Sequence, residues 1–269
     1  MRTWSGMAAL AAAMFLSQAA PAADNRLTPE EKAAHWRLLF DGRTFANWQD
    51  PSRRKPPGDS FVIEDGCLKA VAHPRIVEDL FTRQTFRNFD FAFDWKISPA
   101  GNSGVKFRIQ DHLFIPDGKV RFEDRVAAAL RVPRVPRPDK GQDYVIGFDY
   151  QLTDDATNPD ARGNGPKHQT AALYDVAAPS QSLTRPVGQF NHSVLVVRGD
   201  TVRHHLNGEV VLETSLKSPE VEASMKKRWG ADSPVYDLLV RQPSTKCPIS
   251  LQNHGDEAWF KNLKIRVMN

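Results

Sequence analysis

The chain has 269 residues, of which 41% are hydrophobic and 25% charged, and its formal net charge is +4 at pH 7. This charge is too small for a chain of this length to indicate a nucleic-acid-binding surface. The length would allow two ordinary domains, but a β-sandwich of this size commonly forms one, and we expect a single domain over residues 24–269.

The first 23 residues predict a secretory signal peptide. Arg2 supplies a positive start, residues 7–16 form a short apolar run, and Ala20, Pro21 and Ala22 form a small-residue cleavage pattern. The apolar run is too short to cross a bilayer, so we expect no transmembrane segment. A periplasmic or secreted protein is therefore expected.

A short helix is predicted at the mature N-terminus, and strands are predicted after it. Thr28, Pro29 and Glu31 have the pattern of an N-cap, a first-turn proline and a capping-box acid. Strand patterns follow at residues 38–40, 61–63, 67–70, 89–97, 105–110, 148–152, 193–198, 201–206, 209–213 and 259–267. Many two-faced strands and few helical patterns predict an all-β fold, an antiparallel β-sandwich or jelly roll.

Turn signals and alternation set the expected details of these strands. Residues 64–66 and 199–200 predict turns, and Asn207-Gly208 predicts a type I′ hairpin. Residues 101–104 are expected to turn the chain before the strand at 105–110. In the last strand, the alternation places one set of side chains on the dry face: Trp259, Leu263, Ile265 and Val267.

Two stretches interrupt the strand pattern. Residues 119–140 are basic and rich in proline, which predicts an exposed loop that is either merely solvated or a substrate lid. Residues 219–230 predict a short helix on the edge of the sandwich.

The two cysteines, Cys67 and Cys247, fit no metal-ligand spacing. In an oxidising compartment they could form a disulfide. Two separate buried thiols are the alternative, and the sequence leaves both open.

Polar residues alternate with the core positions of the middle strands. Lys106, Arg108 and Gln110 form one polar row, and Asp149 and Gln151 form another. If these strands lie close together in one curved sheet, the rows converge on a concave surface that suits a sugar or another polyol. An ordinary solvated sheet face is the alternative.

Histidines supply further candidates. His254 lies in a bend with Asp256 and Glu257, and a carboxylate can orient an imidazole and raise its basicity. The alternative is a turn in which Asn253 and Asp256 only bind backbone amides. His168 lies in a loop after a Gly-Asn-Gly segment.

Several catalytic motifs are missing from the sequence. It has no Gly-x-Ser-x-Gly elbow, no His-Glu-x-x-His and no glycine-rich phosphate loop. The alternating acidic residues of jelly-roll glucanases are also missing, which disfavours a conventional two-carboxylate glycosidase.

Eight segments together resemble the 3-keto-disaccharide hydrolase domain family. They are LTPEEKAAHWRLLFDGRTFANW, FVIEDGCL, FDFAFDWKI, GNSGVKFRI, FDYQLTDD, KHQTAALYDVAAP, RPVGQFNHSVLVVRGDTVRHHLNGEVV and LQNHGDEAWFKNLKIR. The resemblance implies a concanavalin A-like jelly roll, usually exported, that acts on small carbohydrates oxidised at C3. It also implies that a base removes the C2 proton, that elimination breaks the bond at C1, and that addition of water completes a net hydrolysis.

The resemblance also implies the site. On this basis we expect His254 or Asp149 to be the base and His168 to be an acid, with Lys106 and Arg108 binding the enolate or hydroxyl groups. The remaining substrate-binding residues that it implies are Asn102, Ser103, Gln151 and Tyr174. A calcium or magnesium ion could be held by Asp149, His254 and Asp256.

This sequence departs from the family pattern at two positions, with Asp149 where glutamate is usual and Asn253 where aspartate is usual. These departures leave open a non-catalytic carbohydrate-binding module, because the fold alone does not distinguish the two functions.

Overall fold

The computed structural model describes residues 23–50, 59–115, 121–134, 136 and 138–268. Residues 1–22, which hold all but the last residue of the predicted signal peptide, lie outside the described part. Within that part, no helix combines the length and the apolar character needed to cross a bilayer.

Short helices and longer strands alternate along the chain. The helices are α1 (Pro29–Ala33), α2 (Phe122–Ala129), α3 (Pro159–Asn164), α4 (Pro219–Trp229) and α5 (Pro234–Tyr236), with a 3₁₀ turn at Pro166–His168 and a π-helical turn at Asp237–Arg241. The strands are β1 (Arg37–Leu38), β2 (Trp48–Gln49), β3 (Phe61–Glu64), β4 (Cys67–Ala70), β5 (Ile76–Val77), β6 (Leu80–Thr82), β7 (Asn88–Ile97), β8 (Asn102–Phe114), β9 (Gly141–Thr153), β10 (Asn191–Arg198), β11 (Thr201–Leu206), β12 (Glu209–Ser215), β13 (Ser250–Leu251) and β14 (Ala258–Met268).

The strands form two sheets that pack face to face. The larger sheet has the order β12-β11-β10-β7-β14-β4-β3, with β1 paired to β14, and the smaller sheet has the order β2-β6-β13-β8-β9-β5. The strand pairs are antiparallel except β5 with β9. The predicted antiparallel β-sandwich is confirmed.

Alternating strand residues from both sheets fill one contiguous core. Phe91 and Phe93 of β7 stack with ring centroids 5.2 Å apart. Phe93 meets Tyr150 of β9 edge to face at 5.6 Å, so aromatic contacts join the two sheets. Trp48 and Phe107 are also fully buried in this core. Because the core lies between the sheets, the alternate polar residues of β8 and β9 face away from it.

Several local predictions are confirmed. Thr28 and Glu31 form the capping box of α1. Asn207 and Gly208 have φ angles of 50° and 98°, as a type I′ turn requires. Helix α4 occupies most of the predicted helical stretch.

Two loop predictions need correction. The expected loop at 119–140 contains helix α2, whose Val126 and Ala127 are buried. Strand β8 already begins at Asn102, so the turn lies before this residue rather than across residues 101–104.

Among the described residues, register irregularities occur in three strand pairs, and those in β8 and β14 change which of the predicted side chains share a face. In β8, the pairing with β9 shifts between Phe107 and Asp111, and Arg108 has a φ of 51°. In β14, the shift falls between Lys261 and Lys264, so Phe260 is buried in the core in place of Trp259. The strict alternation predicted for both strands is wrong at these points, because a bulge re-aims the side chains beyond it.

The cysteines are two separate thiols. Cys67 and Cys247 are both buried and both free. Of the two alternatives left open by the sequence, the structure has the two separate thiols and not the disulfide.

Candidate active site

A cavity of about 300 Å³ opens on the outer face of the smaller sheet, with polar strand residues as its floor and helices as its wall. The helices cover this sheet face, which explains how its outward polar residues become buried. Six predicted site residues line the cavity: Asn102, Lys106, Asp149, Gln151, Tyr174 and His254.

Lys106 is a buried cation at the floor of the cavity. Its side chain is 6% exposed, and its Nζ lies 3.7 Å from Oδ2 of Asp79 and 5.0 Å from the ring centre of Tyr144. Burial alone would lower the pKa of Lys106, but the carboxylates of Asp79 and Asp149 outweigh burial and raise it. Lys106 is therefore protonated at neutral pH.

Asp149 is the neighbour of Lys106 across the β8–β9 pair. Its oxygen Oδ1 is buried and has no hydrogen-bond partner among the described residues. Loss of hydration raises the pKa of Asp149 to about 7, against the opposing effect of Lys106. A carboxylate with a pKa near 7 is suited to act as a general base at neutral pH.

Gly104 makes room for this carboxylate. A Cβ atom at position 104 would lie 2.2 Å from Oδ1 of Asp149, much closer than a real contact allows. The chain therefore needs glycine here for the carboxylate to keep its position.

Amide side chains surround the two charged groups. Nε2 of Gln151 donates to Oδ1 of Asn102 at 3.3 Å, which fixes both amides. Oε1 of Gln252 is buried without a hydrogen-bond partner in the described part of the chain. A buried polar atom left in this way can bind a hydroxyl group of a ligand.

His254 lies at the mouth of the cavity, where its side chain is exposed. Reduced hydration on the cavity side, together with the positive charge of Lys106, lowers its pKa. The imidazole is therefore neutral at neutral pH and can accept a proton or a hydrogen bond.

The wall of the cavity is largely apolar. Phe122 of α2 meets Tyr144 edge to face at 4.9 Å. Tyr144 lies 6.3 Å from Trp229 of α4. Met225 and Leu239 complete this surface, which we call the helical wall and define as Phe122, Glu123, Met225, Arg228, Trp229 and Leu239.

Arginines of the basic stretch attach this wall to the rest of the fold. Arg121 donates to the carbonyl of Arg228 at 2.9 Å, and Arg131 donates to the carbonyl of Asp232 at 3.1 Å. Arg134 pairs with Asp111 of β8. The positive charges of this stretch therefore serve in part as anchors.

The structure places two predicted basic residues outside the cavity. Arg108 is 5% exposed, and its guanidinium donates to the carbonyl of Gly199, because the bulge in β8 turns it away from Lys106. His168 contacts Asp160 through Nδ1 at 3.1 Å and Asp175 through Nε2 at 3.4 Å. Both ring nitrogens are engaged, so His168 orders its loop.

Ser103 and Asp256 also have structural partners. The hydroxyl of Ser103 donates to the carbonyl of Gln252 at 2.8 Å. Oδ2 of Asp256 accepts the backbone N–H of Asn102 at 3.0 Å. Asp256 therefore anchors the start of β8 and is not brought to the cavity with Asp149 and His254.

The predicted three-ligand metal site is not assembled. The described residues contain no group of three or more His, Cys, Asp or Glu side chains that could hold a metal ion. With Asp256 engaged elsewhere, only Asp149 and His254 of the predicted ligands share the cavity.

The departure at Asn253 has a structural explanation. Its Nδ2 donates to the carbonyls of Ser60 at 2.8 Å and Val71 at 3.1 Å. Its Oδ1 accepts the N–H of Gly255 at 2.7 Å. An aspartate has no N–H to donate, so asparagine is the residue that satisfies this buried position.

The sequence reasoning missed most of the helical wall and also missed Gln252. Helix α4 had been predicted from its pattern, but no signal placed it over the sheet. The acidic first turn and the alanines of α2 were the available signal for a helix inside the basic stretch.

Comparisons with known proteins identify the family of the chain. The sequence model of the 3-keto-alpha-glucoside-1,2-lyase-like domain matches residues 35–266. A 3-keto-disaccharide hydrolase of Bacteroides thetaiotaomicron is 28% identical over 246 residues, which cover 86% of this chain and 78% of that protein.

Solved structures show the same architecture. A crystal structure of a candidate glycosyl hydrolase from Parabacteroides distasonis superposes with a TM-score of 0.68 at 26% identity, covering 92% of this chain and 100% of the other. A second candidate glycosyl hydrolase from that organism gives a TM-score of 0.56 at 22% identity, covering 87% and 99% of the two chains, and shows the fold alone.

Proposed function

Because the chain belongs to the 3-keto-alpha-glucoside-1,2-lyase-like domain family, we propose that it cleaves the glycosidic bond of 3-keto-glycosides by elimination. The observation that carries this proposal is Asp149. Its carboxylate lies beside a buried lysine, and the pKa of the carboxylate is raised to about 7. Binding a sugar without cleaving it does not require a carboxylate with a raised pKa.

The first step is removal of the proton at C2. The ketone at C3 acidifies this proton, and Asp149 accepts it while the electron pair forms the C2–C3 enolate. Lys106 lies beside Asp149 across the strand pair and supplies positive charge to the enolate oxygen. A buried cation stabilises this developing charge more than an exposed one.

The second step breaks the bond at C1. The enolate returns to the ketone, a double bond forms between C1 and C2, and the leaving oxygen departs with its electron pair and takes up a proton. Addition of water across the double bond then gives the free 3-keto sugar. No oxocarbenium ion forms, so no second catalytic carboxylate is required.

The amides bind the sugar in this scheme. Gln252 accepts a hydrogen bond from a sugar hydroxyl through its unpartnered Oε1, and the paired Asn102 and Gln151 provide a rigid polar edge. His254 accepts a hydrogen bond at the mouth of the cavity.

A divalent cation would be a second way to supply positive charge to the enolate. The residues present do not provide the three-ligand set that the resemblance implies, so the steps above use Lys106. Excess chelator distinguishes the two routes, because only a metal-dependent reaction loses activity.

The test is release of sugar by the purified protein from 3-keto-trehalose and 3-keto-lactose, with trehalose and lactose as controls. We expect release from the keto sugars only. We also expect Asp149→Asn to lose a factor of roughly 10²–10⁴ in rate.

The matched control is Asp155→Asn, a partly buried carboxyl whose pKa is also raised by burial but which does not line the cavity. Binding of 3-keto sugars without release would favour the carbohydrate-binding module. Equal release from the unoxidised sugars would contradict the enolate route.

We also propose that the protein is exported, on the strength of the signal pattern in residues 1–23. Expression in a bacterial host, followed by N-terminal sequencing of the periplasmic fraction, checks this. Recovery of the uncleaved chain from the cytoplasm alone would contradict it.

A further inference from the structure

The cavity has two chemically different sides, and the difference bears on the leaving group. The floor carries Lys106, Asp149 and the amides, whereas the helical wall is mostly aromatic and aliphatic. We infer that the preferred substrate is a 3-keto-glycoside whose leaving group is an aromatic alcohol rather than a second sugar. This inference rests on the proposed function.

The helical wall offers surface for a flat apolar ring. Trp229 is 8% exposed, and it continues the aromatic contacts that run from Phe122 through Tyr144. Met225 and Leu239 add aliphatic surface on the same side. An aromatic ring packs favourably against such side chains, in edge-to-face or offset contacts.

The polar groups of the wall already have partners. Glu123 lies 3.6 Å from Nε of Arg121 and 3.9 Å from Nε of Arg228. Nε of Arg228 also lies 3.5 Å from Asp175, and the guanidinium packs over the rings of Tyr174 and Trp229. Because the charged groups of this wall are held in ion pairs with one another and its other residues are apolar, a second sugar would find fewer hydrogen-bond partners here than on the floor, which is less favourable.

The size of the cavity agrees with a compact leaving group. A volume of about 300 Å³ is at the lower end of small-molecule sites. It suits one sugar ring with one compact substituent better than a long oligosaccharide.

Proton supply at the leaving oxygen points the same way. The hydroxyl of Tyr174 donates to Oδ2 of Asp160 at 3.0 Å, and His168 lies outside the cavity. His254 is neutral because its pKa is lowered. A phenol-type oxygen, with a pKa of about 10, leaves with less help from an acid than a sugar hydroxyl does.

The experiment compares phenyl and methyl 3-keto-glucosides of the same anomeric configuration, and it adds 3-keto-trehalose as the disaccharide. Phenyl compounds are intrinsically more reactive, so the quantity to follow is the phenyl-to-methyl ratio of kcat/KM in each protein variant. We expect Phe122→Ala to lower this ratio by roughly tenfold. Val132→Ala, on the same stretch and 57% exposed, is the matched control and should leave the ratio unchanged.

Inhibition of the wild-type protein gives a second measurement that needs no variant. Phenol should inhibit turnover of the methyl substrate competitively, and cyclohexanol should inhibit it less. Both results together support the inference.

An unchanged ratio in folded Phe122→Ala, or a higher kcat/KM for the disaccharide than for the phenyl substrate, would overturn the inference and leave the proposed function intact. No release from any of the three substrates would overturn the proposed function, and the inference with it.

Discussion

The outer faces of the two sheets differ in how their buried polar groups are paired. On the larger sheet, Asp90 is 3% exposed and its two oxygens are bound by Arg198 and Arg266. On the smaller sheet, Oδ1 of Asp149 and Oε1 of Gln252 are buried with no partner among the described residues. Paired buried groups stabilise a fold, whereas unpaired ones cost stability, and Asp149 and Gln252 both line the cavity, where a ligand could bind them.

Loss of Asp90 tests the stabilising side of this comparison. Asp90→Ala leaves two arginines facing each other without their carboxylate, and since both are one-third exposed we expect a loss of about 2–4 kcal/mol in unfolding free energy. Urea denaturation measures this. Glu213→Ala, which breaks an exposed pair with Arg203, should have no measurable effect. A stable Asp90→Ala protein would remove the contrast between the two faces.

Gly104 tests the positioning of Asp149. Gly104→Ala places a Cβ where Oδ1 now lies, so the carboxylate must move toward the cavity and become better hydrated. We expect kcat/KM to fall roughly 100-fold, as for a displacement of about 1 Å in a catalytic group. The pH dependence separates positioning from mere destabilisation, because better hydration shifts the acidic limb to lower pH. Normal activity with an unshifted limb would show that Gly104 does not position the base.

The pH–rate profile tests the charge state of Asp149 in the wild-type protein. The base form exists above its pKa of about 7, so kcat/KM should rise with pH and level off above this value. Below it, the rate should fall about tenfold for each pH unit. Kinetics between pH 5 and 8 measure this, and a rate that stays constant over this range would contradict a desolvated carboxylate.

The smallest expected effect concerns the stability cost of Asp149. Its pKa is 3.8 in an ordinary environment and about 7 in the fold, so the folded chain holds a proton that the unfolded chain releases between these values. Stability from this group is therefore present below pH 3.8 and is lost as the pH rises through about 7. Asp149→Asn should raise the unfolding free energy by about 1–2 kcal/mol at pH 8 and change it little at pH 4. Asp90→Asn should lower the unfolding free energy at pH 8. A change of the same sign in both variants would contradict the contrast between the two faces.

Much of the fold was predictable because its strands follow simple alternation. Strand β7 alternates large apolar residues with smaller or polar ones over nearly its whole length, and all of its aromatic side chains are buried. The opposed positions of Lys106 and Asp149 follow from the pairing of two such strands. Period and register therefore account for the floor of the cavity.

The bulges were not predictable from the pattern. Arg108 continues the alternation of β8 in the sequence, yet its positive φ turns it toward Gly199. Trp259 and Phe260 are both large and apolar, and only the irregular pairing of β14 decides which one enters the core. A bulge cannot be recognised from the identity of its residues, because several types of side chain fit either face of a sheet.

The wall of the cavity depends on long-range packing. The basic stretch has the composition of a solvated loop. Its Arg121 and Arg131, however, bind carbonyls of residues about 100 positions away. Asp256 looked like a partner for its neighbour His254, but it binds the backbone of Asn102. Sequence proximity therefore predicts a pair of His254 and Asp256. In the structure His254 lines the cavity, whereas Asp256 binds the backbone of β8.

Deuterium incorporation tests the proposed base and the elimination together. The protein is incubated with a 3-keto-glucoside in heavy water, and the released sugar is analysed by mass spectrometry and NMR, with free 3-keto-glucose as a control for spontaneous exchange. Removal of the C2 proton by Asp149 predicts one deuterium at C2 of the released sugar with the wild-type protein, and release and exchange slowed by a factor of roughly 10²–10⁴ with Asp149→Asn. Sugar released with its original hydrogen at C2 would contradict the account.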